Sequence, residues 1–160
     1  VEAIRPAIEA KQHGITLDVE PAPMWVDGDR ARLVQVISNL LHNAAKFTPS
    51  GGHVVLSLVR AGDTAQIGVR DNGPGIKPSD LAYVFRLFAQ GGADMASREH
   101  GGLGVGLSLV HQLVTDHGGQ VSAFSSGQPG QGAEFVVTLP LILAPEVTAD
   151  QRAKGGQPLP

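Results

Sequence analysis

The sequence predicts an α+β domain, a two-layer α/β sandwich in which helices cover one face of a mixed, largely antiparallel sheet. Three observations carry that expectation. Runs with strand periodicity are collected together, with helical runs inserted between them. Two of those runs are separated only by Gly62-Asp63, which suits a tight hairpin. The run over residues 32–48 places Leu33, Val36, Ile37, Leu40, Leu41, Ala44 and Ala45 at three- and four-residue spacings, so this helix has one continuous face to bury. There is no internal repeat.

Composition bounds the problem. At 160 residues the chain can bury one good core but is short for two domains. A 42% hydrophobic content beside 17% charged residues is globular, not disordered. The net charge of -3 argues against nucleic acid as a partner, because no broad basic field is present. With no cysteine there are no disulfides, thiolate metal sites or cysteine nucleophiles, which suits a reducing compartment. The most apolar stretch, residues 136–145, is too short and too broken by proline to span a bilayer. No secretory signal opens the chain, and Val1 falls inside a helical pattern, so the segment reads as cut from a longer protein. The 21 glycines cluster near 73–75, 91–92, 101–106, 118–119 and 127–132, marking backbone that turns tightly or approaches a ligand.

In chain order, residues 1–13 read as a short amphipathic helix containing Pro6, the tail of an element that precedes the domain and its link. Ile15, Leu17 and Val19 alternate with Thr16, Asp18 and Glu20 as a half-buried strand, closed by Pro21 and Pro23. Trp25 and Val26 read as a short edge piece, and Asp27 and Asp29 supply acids for the start of the main helix. That helix stops near Pro49. Residues 53–61 and 64–71 follow as the hairpin strands, leaving Asp71 at a strand end. Residues 78–88 suggest a short helix with Leu81, Val84, Phe85 and Phe88 on its apolar face. Residues 89–100 lack periodicity and suit a mobile lid. A helix over 105–117 is stopped by Gly118-Gly119, and strands over 120–125 and 133–139 flank a glycine-rich turn. The unit is expected over residues 14–144, with a flexible linker over 145–160.

The chemistry concentrates in three places. Asn39, Asn43 and Lys46 form a second stripe on the main helix, with His42 beside them. Asn propagates a helix poorly, so two of them one turn apart suggest cation ligation or phosphate contact, although a surface stripe would look the same. Asp71 precedes Asn72-Gly73-Pro74-Gly75-Ile76, a fixed carboxylate beside backbone with little side chain to obstruct a ligand. Such a carboxylate can accept from a purine amine, and an Asx-type turn would use the same residues. Gly101-Gly102-Leu103-Gly104-Val105-Gly106 feeds a helix and can cradle an anion on successive amides, or act as a hinge. It lacks the Lys-Ser/Thr of a P-loop, having Leu107 and Ser108 there. A purine end, a phosphate end and an amide-bearing helix at Asn39 and Asn43 together describe a Mg-nucleotide site, in which a single Asn carbonyl oxygen can be the only protein ligand of Mg²⁺. Lys46 would offset phosphate charge. An amide at position 39 is a poor general base, which favours presenting ATP over hydrolysing it. Of the histidines, His13 and His53 read as incidental, His111 and His117 lack metal partners, and His100 borders the glycine loop.

Over about residues 15–139 the chain resembles the catalytic and ATP-binding domain of bacterial-type sensor histidine kinases, within the superfamily shared with gyrase-type topoisomerases, ninety-kilodalton heat-shock chaperones and mismatch-repair ATPases. Asn39 through Thr48 resembles the asparagine box, with Asn43 at the Mg²⁺-ligating position and Asn39, His42 and Lys46 where relatives contact phosphate or the ion's shell. Asp71 through Ile76 resembles the first glycine box, in which Asp71 would hold the adenine amine with Gly73, Gly75 and Ile76 around it. Val84-Phe85-Arg86-Leu87-Phe88 is similar to the phenylalanine box, and Gly102-Leu103-Gly104-Val105-Gly106-Leu107 to the second glycine box under the phosphates. Gly130-Gln131-Gly132-Ala133-Glu134-Phe135 resembles the last glycine motif, with Ala133 where Thr or Ser is common.

The resemblance implies a Bergerat-type fold, ATP and Mg²⁺ as ligands, and transfer of a phosphoryl group to a histidine on a separate phosphoacceptor domain. A response-regulator receiver domain would follow as downstream partner. It also implies a cytoplasmic location, with a parent that can be anchored in the inner membrane, and an isolated domain that is monomeric. Hydrolysing branches carry a glutamate at the position of Asn39, so the amide points to the kinase branch. None of the six histidines lies in the acceptor motif. Competing readings are a serine-directed kinase, disfavoured by the lid with Phe85 and Phe88, and a nucleotide-free regulatory module, disfavoured by intact Asn43, Asp71 and residues 102–106.

Overall fold

The computed structural model describes residues 5–86 and 105–144. Along the chain come α1 (Arg5–Ala10), β1 (Gly14–Val19), α2 (Arg30–Phe47), β2 (His53–Ala61), β3 (Thr64–Asp71), α3 (Pro78–Leu81), α4 (Gly106–Asp116), β4 (Gln120–Phe124) and β5 (Glu134–Pro140). The strands form one sheet in the order β1-β2-β3-β5-β4. Only β1 and β2 are parallel; the other three pairs are antiparallel. A parallel pair needs a crossover, and α2 supplies it. The mixed, largely antiparallel sheet expected from the sequence is therefore the observed one.

The core lies between this sheet and the helix pair α2 and α4. Val36, Leu40 and Leu41 of α2 and Val110 and Val114 of α4 pack with Val54, Val69 and Val137 of the sheet, all fully buried. Replacing a residue such as Leu40 by alanine would cost about 2–5 kcal/mol, lost transfer energy plus the cavity left behind. The period-two alternation on β3 buries Val69 and Asp71 and leaves Arg70 between them in solvent. Asp71 therefore ends its strand on the helix-covered face, which positions the candidate site.

The main helix is held at both ends by side chains from elsewhere. At its start, Asp29 accepts from the N–H groups of Ala31 at 2.7 Å and Arg32 at 3.1 Å, which holds its carboxyl below the usual range. The Asp29 N–H in turn donates to His117 Nε2 at 3.0 Å, while His117 Nδ1 meets the Leu113 carbonyl at 2.6 Å. These partners require the proton on Nδ1. At the far end of α2, Lys11 Nζ donates to the carbonyls of Ala45, Lys46 and Thr48. His13 Nε2 lies 3.2 Å from the Thr48 carbonyl and 3.0 Å from that of Pro49. Lys11 and His13 thus satisfy carbonyls that a helix end leaves without partners. The α4 helix ends in a Schellman pattern, with Gly118 at φ +69° and bonds from Gly118 N to Thr115 O and from Gly119 N to Val114 O.

Four details correct the sequence reading. Leu17 and Val19 are 56% and 51% exposed, not half-buried, because α2 packs over β2 and β3 instead of the edge strand β1. Trp25 and Val26 form no strand; the Trp25 carbonyl accepts a single bond, from Ile142 N at 2.8 Å. The helix expected over 78–88 ends at Leu81 and continues as turns, although Val84 and Phe85 still pack against the core. His13 is not incidental: it is 7% exposed and clamps α2. Phe88 and the expected lid over 89–100 lie outside the described residues, as does the tail over 145–160.

Candidate functional site

Asp71 anchors one end of the site. Its side chain is 8% exposed, and its Oδ1 accepts from the Gly73 N–H at 2.8 Å. Among the described residues the Gly73 N–H makes the one well-formed hydrogen bond to this carboxylate, and the Ala133 backbone bears on it more weakly. Burial pushes the carboxyl above its ordinary value, and backbone hydrogen bonding from Gly73 and Ala133 offsets part of that rise. The result is a fixed acceptor with capacity to spare, matched to a ligand donor such as an exocyclic amine.

Glycines make room around this carboxylate. A Cβ on Gly73 would lie 2.9 Å from Asp71 Oδ1 and 3.1 Å from the Phe47 carbonyl. Gly132, at φ +66°, lies so close that a Cβ would fall 1.8 Å from the Asp71 carbonyl oxygen. The loop after Asp71 is tied to the loop after β4 by bonds from Gly130 N and Gly132 N to the Gly73 carbonyl. Ser125 completes the tie. Its hydroxyl donates to the Gly132 carbonyl at 2.7 Å and accepts from Ile76 N at 2.9 Å and Gly127 N at 3.2 Å. Gly75, at φ +78°, fits beneath that hydroxyl, where a Cβ would come within 2.9 Å. Ile76 is thereby placed by its backbone, with its side chain packed on the core.

The amide stripe of α2 is the second part. Asn39 is half-buried, and its Nδ2, fully enclosed, has no hydrogen-bond partner among the described residues. Its Oδ1 lies 3.9 Å from where a Cβ on Gly106 would stand, so the stripe faces the first residue of α4. Asn43 is half-buried one turn further along, and His42 is exposed. Among the described residues Lys46 Nζ makes no hydrogen bond or ion pair; it sits 4.7 Å above the Phe47 ring. The third part is the start of α4. Val105 occupies the N-cap position without a side-chain bond, so no side chain among the described residues caps the first amides of the helix, while Gly106 and Leu107 open its first turn. Such amides and the positive end of the helix dipole suit an anion.

The structure therefore brings Asn39 and Gly106 together, and it sets Asp71, Gly73, Gly75 and Ile76 on the loop beside the end of α2. Gly102, Leu103, Gly104 and Phe88 lie outside the described residues. Sequence reasoning missed Ser125, Lys11, His13 and His117, whose partners are backbone groups of distant segments and leave no periodic signal. Gly28, whose Cβ would stand 2.5 Å from His117 Cδ2, is the one local hint of that histidine's placement. His111 meets the Phe85 ring at 6.0 Å, and Phe85 stacks edge-on against Phe135, so this histidine belongs to an aromatic cluster. No group of side chains among the described residues could hold a metal through several His, Asp or Glu ligands. A cation here would depend on amide oxygens and on its own ligand's oxygens.

Comparison with known proteins places the chain in a family. Residues 28–143 match the family described as histidine kinase-, DNA gyrase B- and HSP90-like ATPases. The chain is 40% identical over 137 residues to the sensor histidine kinase RcsC of Escherichia coli, covering 85% of this chain and 14% of RcsC. It is 42% identical over 130 residues to the histidine protein kinase DivJ of Caulobacter vibrioides, covering 81% of this chain and 21% of that protein. The chain thus spans well under a quarter of these curated relatives. Among solved structures, full-length ShkA in complex with AMPPNP superposes with a TM-score of 0.75 at 32% identity, covering 89% of this chain and 28% of ShkA. The mycobacterial sensor histidine kinase MprB gives 0.72 at 29% identity, covering 89% of this chain and 95% of that one. With the family model matching residues 28–143, most of its length, this chain belongs to the histidine kinase-, DNA gyrase B- and HSP90-like ATPase family.

Proposed function

We propose that this chain is the MgATP-binding catalytic domain of a sensor histidine kinase, which presents the γ-phosphoryl group to a histidine on a separate dimerisation and phosphoacceptor domain. The observation that carries the reading is the amide of Asn39, whose Oδ1 faces Gly106 and whose enclosed Nδ2 has no partner among the described residues. A buried donor without an acceptor costs about 1–3 kcal/mol, and a phosphate oxygen arriving at the start of α4 would relieve it. The second oxygen of Asp71 accepts the adenine amine. Lys46 neutralises phosphate charge, and the first amides of α4 bind phosphate oxygens. Asn43 would hold Mg²⁺ through its amide oxygen, and the bound ion would supply neutralisation of phosphate charge. The residues on α2 bind and orient and abstract no proton, which agrees with an amide at position 39. The same reading makes a receiver domain the downstream partner, and the isolated domain a monomer. No helix among the described residues is long and apolar enough to cross a membrane. We assign the domain to the cytoplasmic side.

Calorimetric titration with AMPPNP, with and without Mg²⁺, tests the reading. The wild type is expected to bind more tightly with Mg²⁺, and Asn43→Ala is expected to lose that increment while keeping the Mg²⁺-free affinity. Absence of binding at millimolar AMPPNP refutes the proposal.

A further inference from the structure

A basic residue in the last turn of a helix ordinarily folds back onto the free carbonyls there, where the dipole and the unpaired oxygens both attract it. Lys46 is the basic residue in the last turn of α2. It does not do this: its ammonium lies over the Phe47 ring, while Lys11, from the segment before β1, donates to the Ala45, Lys46 and Thr48 carbonyls. His13 takes the Thr48 carbonyl a second time and that of Pro49. The carbonyl end of α2 is therefore occupied from outside the helix. It also abuts the site, since the Phe47 carbonyl and Thr48 Cα are the atoms that a Cβ on Gly73 would meet.

We infer that Lys11, aided by His13, is a surrogate cap whose role is to keep Lys46 free for the phosphates and to neutralise the negative end of α2. The inference rests on the nucleotide reading above and adds a positioning residue to it. Lys11 touches no part of the site directly; it acts by occupying the acceptors for which Lys46 would otherwise compete. It also means that the chain entering the domain is bonded to the helix that handles phosphate, so pulling on that segment would withdraw the cap.

The test is a double-mutant cycle on the 160-residue chain, titrated with Mg-AMPPNP and, separately, with adenosine, which has no phosphate. Lys46→Met should weaken Mg-AMPPNP about tenfold, the equivalent of one charge-assisted contact. Lys11→Met should weaken it by a similar factor, with Lys46 falling onto the vacated carbonyls. The Lys11→Met/Lys46→Met pair should be no weaker than Lys46→Met alone, a non-additivity expected only when one residue acts through the other. Adenosine affinity should not change in any of them. A purely structural Lys11 would instead lower adenosine and Mg-AMPPNP affinity together and add to the Lys46 effect, and that result overturns the inference. Should Lys11→Met fail to fold, Lys11→Gln keeps one donor for the carbonyls and should show a smaller loss with the same non-additivity. If the wild type binds neither ligand, the nucleotide reading fails. If the wild type binds and Lys46→Met has no effect, the surrogate-cap inference alone falls.

Discussion

Replacing Asp71 by asparagine separates the stability role of this side chain from its binding role. The carboxylate has two acceptor oxygens, one committed to the Gly73 N–H at 2.8 Å and one without a well-formed hydrogen bond from the described residues. An asparagine has one acceptor and one donor group. If its oxygen stays on Gly73, its NH₂ faces the incoming adenine amine; if the amide flips, the NH₂ faces the Gly73 N–H. One of the two bonds is lost in either orientation. A hydrogen bond to a charged acceptor is worth about 1.5–3 kcal/mol, so AMPPNP affinity should fall by about tenfold to 150-fold.

Stability should move differently. Burial raises the Asp71 carboxyl above its reference value of 3.8. A carboxyl raised in the folded state binds its proton more tightly there than in the unfolded chain. Its contribution is therefore fully present below the unfolded pKa and is lost as pH rises through the folded one. At neutral pH the ionised group is a net burden on the empty domain. Asp71→Asn should leave the urea midpoint at pH 7 unchanged or higher and flatten this loss on the acid side, while calorimetry records the fall in affinity. Binding within about twofold of wild type would show that the second oxygen does not receive the ligand. A large drop in stability at pH 7 would show that burial does not dominate the cost of this carboxylate.

Asn39→Leu removes the enclosed Nδ2 without opening a cavity, so thermal melts of the ligand-free domain should show a gain of about 1–3 kcal/mol, and AMPPNP should stabilise the variant less than the wild type. Gly132→Ala forces a Cβ to within 1.8 Å of the Asp71 carbonyl at a left-handed φ of +66°, an overlap with backbone that no rotamer relieves. It should cost more than about 3 kcal/mol in urea denaturation, well above the roughly 1 kcal/mol of an ordinary glycine replacement.

Much of this architecture was legible because it is periodic. The three- and four-residue spacing from Leu33 to Ala45 located α2 to within two residues at either end, and the Gly62-Asp63 hairpin placed Asp71 at a strand terminus. The asparagines stood out because they break the economy of a solvated helix. The alternation in β1 showed that Ile15, Leu17 and Val19 share a face, but not whether a layer lies over that face; helix cover decides burial, and α2 packs over β2 and β3 while α4 covers the other edge strand, β4. Lys11, His13, Ser125 and His117 were not legible because each acts through contacts to backbone far off in sequence, 88 residues away in the case of His117 and Asp29. Such contacts have neither period nor composition. The histidines illustrate this most clearly: a test for metal spacing finds no partner for His117 and says nothing of its role as a peg between two helices.

The parallel pairing of β1 with β2 has a consequence in time as well as in space. The β2 and β3 strands meet through a two-residue turn and can zip together within microseconds. In contrast, Gly14 reaches His53 only by closing a loop that contains all of α2. That closure carries a larger entropic cost and comes after the local hairpin. The strand that arrives late is also the edge strand, with Leu17 and Val19 in solvent, so few contacts hold it. Its amides should be among the first in the sheet to exchange with deuterium, well before those of β3. Because Lys11 and His13 immediately precede that strand, each opening of β1 would loosen the end of α2, and the phosphate-handling half of the site would be the last part to assemble and the first to come apart.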